Sequence, residues 1–143
     1  MRRLAVLLLL AASPAQAAPA DAVMAADRAF SALSMEKGTA YAFWFYSART
    51  GRFYAAGGGG PRTGKSTAAP KTDPTASTKL SWEPTAGGVA GDGTQGWTDG
   101  VWKRVGPDGV RTGHYLTVWI KEDGSWKVQA DMGTADPGPK ASP

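Results

Sequence analysis

The stretch RTGHYLTVWIKEDGSWKVQADMG (111–133) constrains this chain more than any other. Two runs rich in β-branched and aromatic residues flank Asp123-Gly124, a dipeptide that favours the tight turn with positive φ at both central positions. The segment is therefore expected to be a β-hairpin. Two further strands precede it. LSWEP opens one that runs from Leu80 to about Ala90, with a bend or bulge at Gly87-Gly88. GWTDGVWKRV (96–105) forms the next, and turns fall at Gly91-Asp92-Gly93 and Pro107-Asp108-Gly109. From Leu80 onward the chain is strand and turn, about four antiparallel strands in all.

Helices come before the strands. In DAVMAADRAFSALSMEKG, Val23, Ala26, Phe30 and Leu33 fall at i, i+3, i+7 and i+10, one face of a helix. Asp21 suits its N-cap, and Gly38 suits the position that stops it. TAYAFWFYSA (39–48) restarts as a short aromatic helix that must be covered on most sides; a strand over Phe43 to Tyr46 is the alternative. Residues 55–79 are dominated by Gly, Pro, Thr, Ser and Ala and read as loop, with at most one helical turn near Lys65 to Ala69. Helices followed by hairpins predict an α+β domain, with two N-terminal helices packed on one face of a curved antiparallel sheet.

The ends bound the rest. Arg2 and Arg3, the apolar run Leu4 to Ala12, and Ala15-Gln16-Ala17 together form a secretory signal peptide (1–17); the alternative is a buried N-terminal helix. The apolar run is too short to span a bilayer as an anchor, so the expectation is an exported chain, periplasmic or secreted, with no membrane segment after cleavage. The domain is expected at 18–133, and TADPGPKASP (134–143) as a disordered tail. Removing the leader lowers Lys plus Arg from 16 to 14 against 12 Asp plus Glu, so the net charge falls from +4 to +2. No Lys/Arg run remains to bind nucleic acid. With no cysteine, thiol chemistry and disulfides are excluded. One histidine and unclustered carboxylates predict no metal site and no cofactor.

GGPRTGKS (59–66) matches the spacing of a phosphate-binding loop. Such a loop works only where a buried strand feeds it and a long helix starts at its lysine, aiming backbone N–H groups at the phosphates. Pro70 and Pro74 stand too close behind Lys65 for that helix, and no parallel βαβ pattern surrounds it. No nucleotide is expected there.

The hairpin resembles that of the SnoaL-like, nuclear-transport-factor-2-like superfamily, nearest its exported branch of unknown function. ADRAFSALSMEKG (26–38), the GPRTGKS loop and LSWEP (80–84) resemble that branch's first helix, middle loop and second strand. The resemblance implies a cone-shaped domain whose sheet wraps around the helices and leaves a pocket at the wide end. It also implies relatives ranging from ketosteroid isomerase and polyketide cyclases to proteins that only bind or assemble, so function must be argued from the site.

Counting back from the turn pairs Glu122 with Ser125, Trp119 with Val128 and Leu116 with Asp131. One face then carries Tyr115, Thr117, Trp119, Trp126, Val128, Ala130 and Met132. The other carries His114, Leu116, Val118, Ile120, Lys127, Gln129 and Asp131. Both faces are apolar enough to predict burial on each side, one against the helices and one against a second copy, a homodimer through the sheet. His114 and Asp131 become diagonal neighbours, a carboxylate-oriented base or a structural pair. Asp27, one step from the Phe30 stripe, is placed at the pocket mouth with a pKa raised by burial, or in a local hydrogen bond. Asp99 sits within a strand. The pocket acid and acid–tyrosine pair of ketosteroid-isomerase chemistry have no residue-by-residue match, so no catalytic residue is assigned; His114, Asp131 and Asp27 are the acid–base candidates. Of the six tryptophans most are expected in the core, with Trp44 and Trp82 lining a pocket. The leading expectation is a binder of a small apolar ligand. The alternatives are an acid–base isomerase, cyclase or dehydratase, and a dimerisation module. An inward carboxylate or imidazole favours the enzyme, a wholly apolar pocket favours binding, and a filled interior favours assembly.

Overall fold

The computed structural model describes residues 19–138, so the expected signal peptide and the end of the expected tail (139–143) lie outside the described residues. The elements are α1 (Pro19–Lys37), α2 (Thr39–Tyr46), β1 (Ser47–Tyr54), β2 (Arg62–Thr63), β3 (Lys79–Val89), β4 (Gln95–Gly106), β5 (Gly109–Glu122) and β6 (Ser125–Ala135). One curved, six-stranded sheet runs β2-β1-β6-β5-β4-β3. Strand β6 continues two residues past the expected end of the domain, with His114 opposite Thr134.

The α+β order matches the sequence reading, but the sheet is mixed, because β1 runs parallel to β6. The reason lies in the connections. Tyr46 ends α2 and Ser47 begins β1 with no loop between them. The chain from β2 through β5 then serves as the connection that brings β6 back beside β1, long enough to permit parallel pairing. SARTGRFY hides its strand character behind two arginines and a central glycine, although Gly51 and Phe53 alternate inward.

Gly38 stops α1 as expected: its N–H donates to the Ser34 carbonyl at 3.1 Å, and its φ of 92° lies where glycine is unstrained. Asp21 stands in the first turn of α1 rather than before it. The inner stripe of α1 lies across β3. There the Trp82 N–H donates to Ser31 Oγ, and Ser34 Oγ donates to the Leu80 carbonyl, each at 2.8 Å. Two serines thus satisfy backbone groups that an edge strand would otherwise expose. Phe30 is the hub of the core, with ring centroids 4.5 Å from Trp82, 4.9 Å from Phe43 and Tyr46, and 6.1 Å from Trp119. Val23, Ala42 and Val128 complete the fully buried apolar cluster.

The turn at Asp123 (φ 50°) and Gly124 (φ 77°) has the expected form, and Glu122 faces Ser125 and Trp119 faces Val128 as counted. Beyond that point the count fails by one. Val118 faces Ala130, so Gln129 is an extra residue, a β-bulge. Its side chain meets Thr50 across the ladder at 3.4–3.5 Å, where β1 is itself irregular. A one-residue slip turns every later side chain to the other face. Asp131 therefore faces Thr117 and points inward, while Ala130 and Met132 join Leu116 on the outside. In β3 the bulge falls between Pro84 and Ala86 rather than at Gly87-Gly88. A Cβ on Gly87 would come within 2.9 Å of the Met24 side chain, so that glycine serves the close approach of α1.

Candidate functional site

The loop after β1 folds back over the end of the sheet. Arg62 and Thr63 pair with Phe53 and Arg52, the Lys65 N–H donates to the Arg49 carbonyl at 3.2 Å, and Trp44 Nε1 donates to the Ser66 carbonyl at 2.9 Å. No helix begins at Lys65, as its prolines require; its ammonium instead lies 4.7 Å over the Trp44 ring and donates to the Phe45 carbonyl at 3.4 Å.

Between this loop, α2 and the inner face of the sheet lies a cavity of about 860 Å³. Its apolar wall comes from Phe30, Phe43, Trp44, Phe53, Leu80 and Trp82, with Trp102 from β4. Trp44 and Trp82 both line it. Trp102 alternates inward with Thr98 and Gly100, and its Nε1 donates at 3.1 Å to the carbonyls of His114 and Thr134. The polar lining is sparse: Asp131, Tyr115, Ser47 and Thr39 together with Arg62, Lys65, Ser66 and Arg104.

Asp131 is the carboxylate in that wall. It accepts a 2.7 Å hydrogen bond from Thr117 Oγ1, whose residue is 1% exposed. Burial raises its pKa to about 6; the Thr117 hydrogen bond opposes the rise and the nearby Asp27 charge adds to it. A carboxyl group that titrates there can hold or release a proton near neutral pH.

Asp27 is not at the pocket mouth. Its α1 position turns it directly into the core, where it is 0% exposed and accepts from Trp82 Nε1 and Tyr115 Oη, each at 2.7 Å. Burial raises its pKa despite these hydrogen bonds. Tyr115 is pushed upward as well, by burial and then by the Asp27 charge, so it remains a donor. Asp27 thereby fixes the two cavity-lining rings Trp82 and Tyr115 from behind. Nothing in the sequence pattern marked Tyr115 as its partner, because the two lie 88 residues apart.

His114 and Asp131 do not meet. The bulge sends Asp131 inward, while His114 stays on the outer face, its Nε2 3.7 Å from Asp136 Oδ1. His114 is therefore not a pocket base. Asp99 also lies outside the cavity, with Thr85 Oγ1 donating to its carboxylate at 3.1 Å. Among the described residues no group of three or more His, Cys, Asp or Glu is placed to hold a metal ion. Among them, too, no helix is long and apolar enough to cross a membrane.

Neither a protein-family model nor a curated protein matches the sequence. Solved structures do. A candidate calcium/calmodulin-dependent protein kinase II association domain from Xanthomonas campestris superposes with TM-score 0.62 at 17% identity, covering 89% of this chain and 94% of that one. A cystatin-like domain of unknown function from Nostoc punctiforme gives 0.60 at 17% identity, covering 80% and 77%. An NTF-2-like protein of unknown function from Shewanella oneidensis gives 0.53 at 14% identity, covering 71% and 87%. The likeness is one of fold. This α+β fold is shared with domains described as NTF-2-like and cystatin-like, and the chemistry is left to the cavity.

Proposed function

We propose that the chain is an exported, cone-shaped domain of the SnoaL-like branch that binds a small, largely apolar molecule between α2, the 55–70 loop and the inner sheet face. The carrying observation is the cavity of about 860 Å³ walled by Phe43, Trp44, Phe53 and Trp82. That volume lies in the range of small-molecule sites, and an apolar wall with few polar groups is their usual composition. Two copies pair through the outer sheet face, where Trp97, Val101, Leu116 and Met132 stand exposed on adjacent strands. The description of one structural neighbour as a candidate association domain is in keeping with assembly through this fold.

A second reading rests on Asp131. An inward carboxyl titrating near 6 beside an apolar wall suits proton transfer on a bound small molecule, as in an isomerase, cyclase or dehydratase. In that reading Asp131 is the base, and His114 and Asp27 take no part. Native mass spectrometry of the purified full-length product tests the leading proposal. The expected spectrum shows a dimer carrying a small-molecule adduct that collisional activation removes. A spectrum of bare monomers, unchanged after incubation with aromatic and aliphatic small molecules, would overturn it.

A further inference from the structure

The charges around the cavity are divided by place. Among the described residues, Arg62, Lys65 and Arg104 line it together with a single carboxylate, Asp131. Arg62 stands in the exposed β2 segment, its backbone paired with Phe53, and its side chain makes no hydrogen bond or ion pair among the described residues. Lys65 Nζ contacts a backbone carbonyl and the Trp44 ring, neither of which neutralises it. Arg104 uses Nη1 to hold Asp108 at 3.0 Å beside the β4–β5 turn, which leaves the rest of its guanidinium fork free. Asp131, by contrast, is tied at 2.7 Å to a fully buried threonine on the inner sheet face. The cations stand on the loop and at the β4 end beside the β4–β5 turn, while Asp131 stands on the inner sheet face with its carboxyl against Thr117.

From this division we infer that the ligand is an amphipathic anion, an aromatic or aliphatic acid whose carboxylate seats against Arg62 and Arg104 at the mouth while its apolar body lies on Trp82 and Phe43. The inference rests on the cavity being a ligand site and adds the ligand's class and orientation. The opposite orientation would set two anions side by side in a poorly solvated place. A cationic ligand is disfavoured because Arg62 and Lys65 line the cavity with no carboxylate against either, and the Lys65 ammonium already occupies the face of Trp44. A planar guanidinium with no competing partner recognises a carboxylate in two-pronged fashion.

The test uses three probes of one shape: 2-naphthylacetate, 2-(2-naphthyl)ethanol and 2-naphthylmethylammonium. Each is titrated into the protein at pH 7.5 by calorimetry, with the indole N–H signals of Trp82 and Trp102 followed by NMR to report whether the cavity is occupied. The acid is expected to bind about tenfold more tightly than the alcohol, one charge-assisted hydrogen bond's worth, and the ammonium more weakly than either. Raising salt should erode the acid's advantage and leave the alcohol unchanged. Arg62→Ala should cut the acid's preference to about threefold or less without altering alcohol binding, and Arg62→Lys should retain most of it. The Arg62 side chain is exposed and unpaired and its pairing with Phe53 is made by the backbone, so neither variant disturbs the fold. Equal or tighter binding of the alcohol or ammonium, with the indole signals shifting, would overturn the anion assignment and leave the binding site standing. No binding by any probe would overturn both.

Discussion

Replacing Asp131 by Asn should make the protein more stable at neutral pH and no more stable in acid. Asn keeps the shape and an oxygen able to accept from Thr117 Oγ1, so the perturbation is the loss of the charge alone. The folded-state pKa of Asp131 is raised from 3.8 to about 6. A carboxyl with a raised pKa binds its proton more tightly when folded, so stability is highest below the unfolded pKa and is lost as pH climbs through the folded one. The shift amounts to at most about 3 kcal/mol, all of it charged against the folded state above pH 6 or so. Urea unfolding of both proteins between pH 4 and pH 8 checks this. The variant should exceed the wild type by about 1–3 kcal/mol at pH 8 and match it within about 0.6 kcal/mol at pH 4. Asp27 keeps some of the same trend in both proteins, since its pKa is also raised by burial. Parallel curves, or a variant less stable at pH 8, would show that the carboxylate carries no burial cost and refute the inward placement.

Other expectations follow from the same geometry. Phe30→Ala removes the ring on which Phe43, Tyr46 and Trp82 converge, at 1% exposure, and should cost about 3–5 kcal/mol in urea unfolding; a loss under about 1 kcal/mol would contradict the core described above. Leu116→Glu places a charge in the middle of the exposed outer face, where Leu116 is 43% exposed. It should leave the unfolding midpoint nearly unchanged and halve the particle mass seen by light scattering, whereas an unaltered dimer would remove that face as the interface. Gly100→Ala drives a methyl into the Glu83 carbonyl across the β3–β4 ladder and should lower the thermal midpoint by several degrees; an unchanged midpoint would contradict that pairing.

How much could be read beforehand depended on whether the deciding forces were local. The Asp123-Gly124 turn, the Gly38 stop and the Val23–Phe30 stripe are all set within a few residues, and each stands where the pattern placed it. The end of β6 was missed because nothing in KVQADMG announces a bulge; the extra Gln129 answers an irregularity in β1, about 80 residues earlier in the chain, where Gln129 meets Thr50. That single displacement separated His114 from Asp131 and put a carboxylate in the cavity. Strand β1 was hidden because Arg49 and Arg52 point outward while its backbone pairs with a strand the chain reaches last. Trp44 and Trp82, named from the sequence among six tryptophans, both line the cavity. Tyr115 and Trp102 could be seen only once the strands were in register, since their roles come from cross-chain neighbours.

The most direct test of the account is a carbon-13 NMR titration of the Asp131 side-chain carboxyl, assigned by its disappearance in Asp131→Asn. A midpoint near pH 6 is predicted, as the inward, poorly hydrated position demands. A midpoint close to 3.8, the ordinary aspartate value, would mean that the group meets open water, that Gln129 is not bulged, and that the cavity lacks the wall described for it.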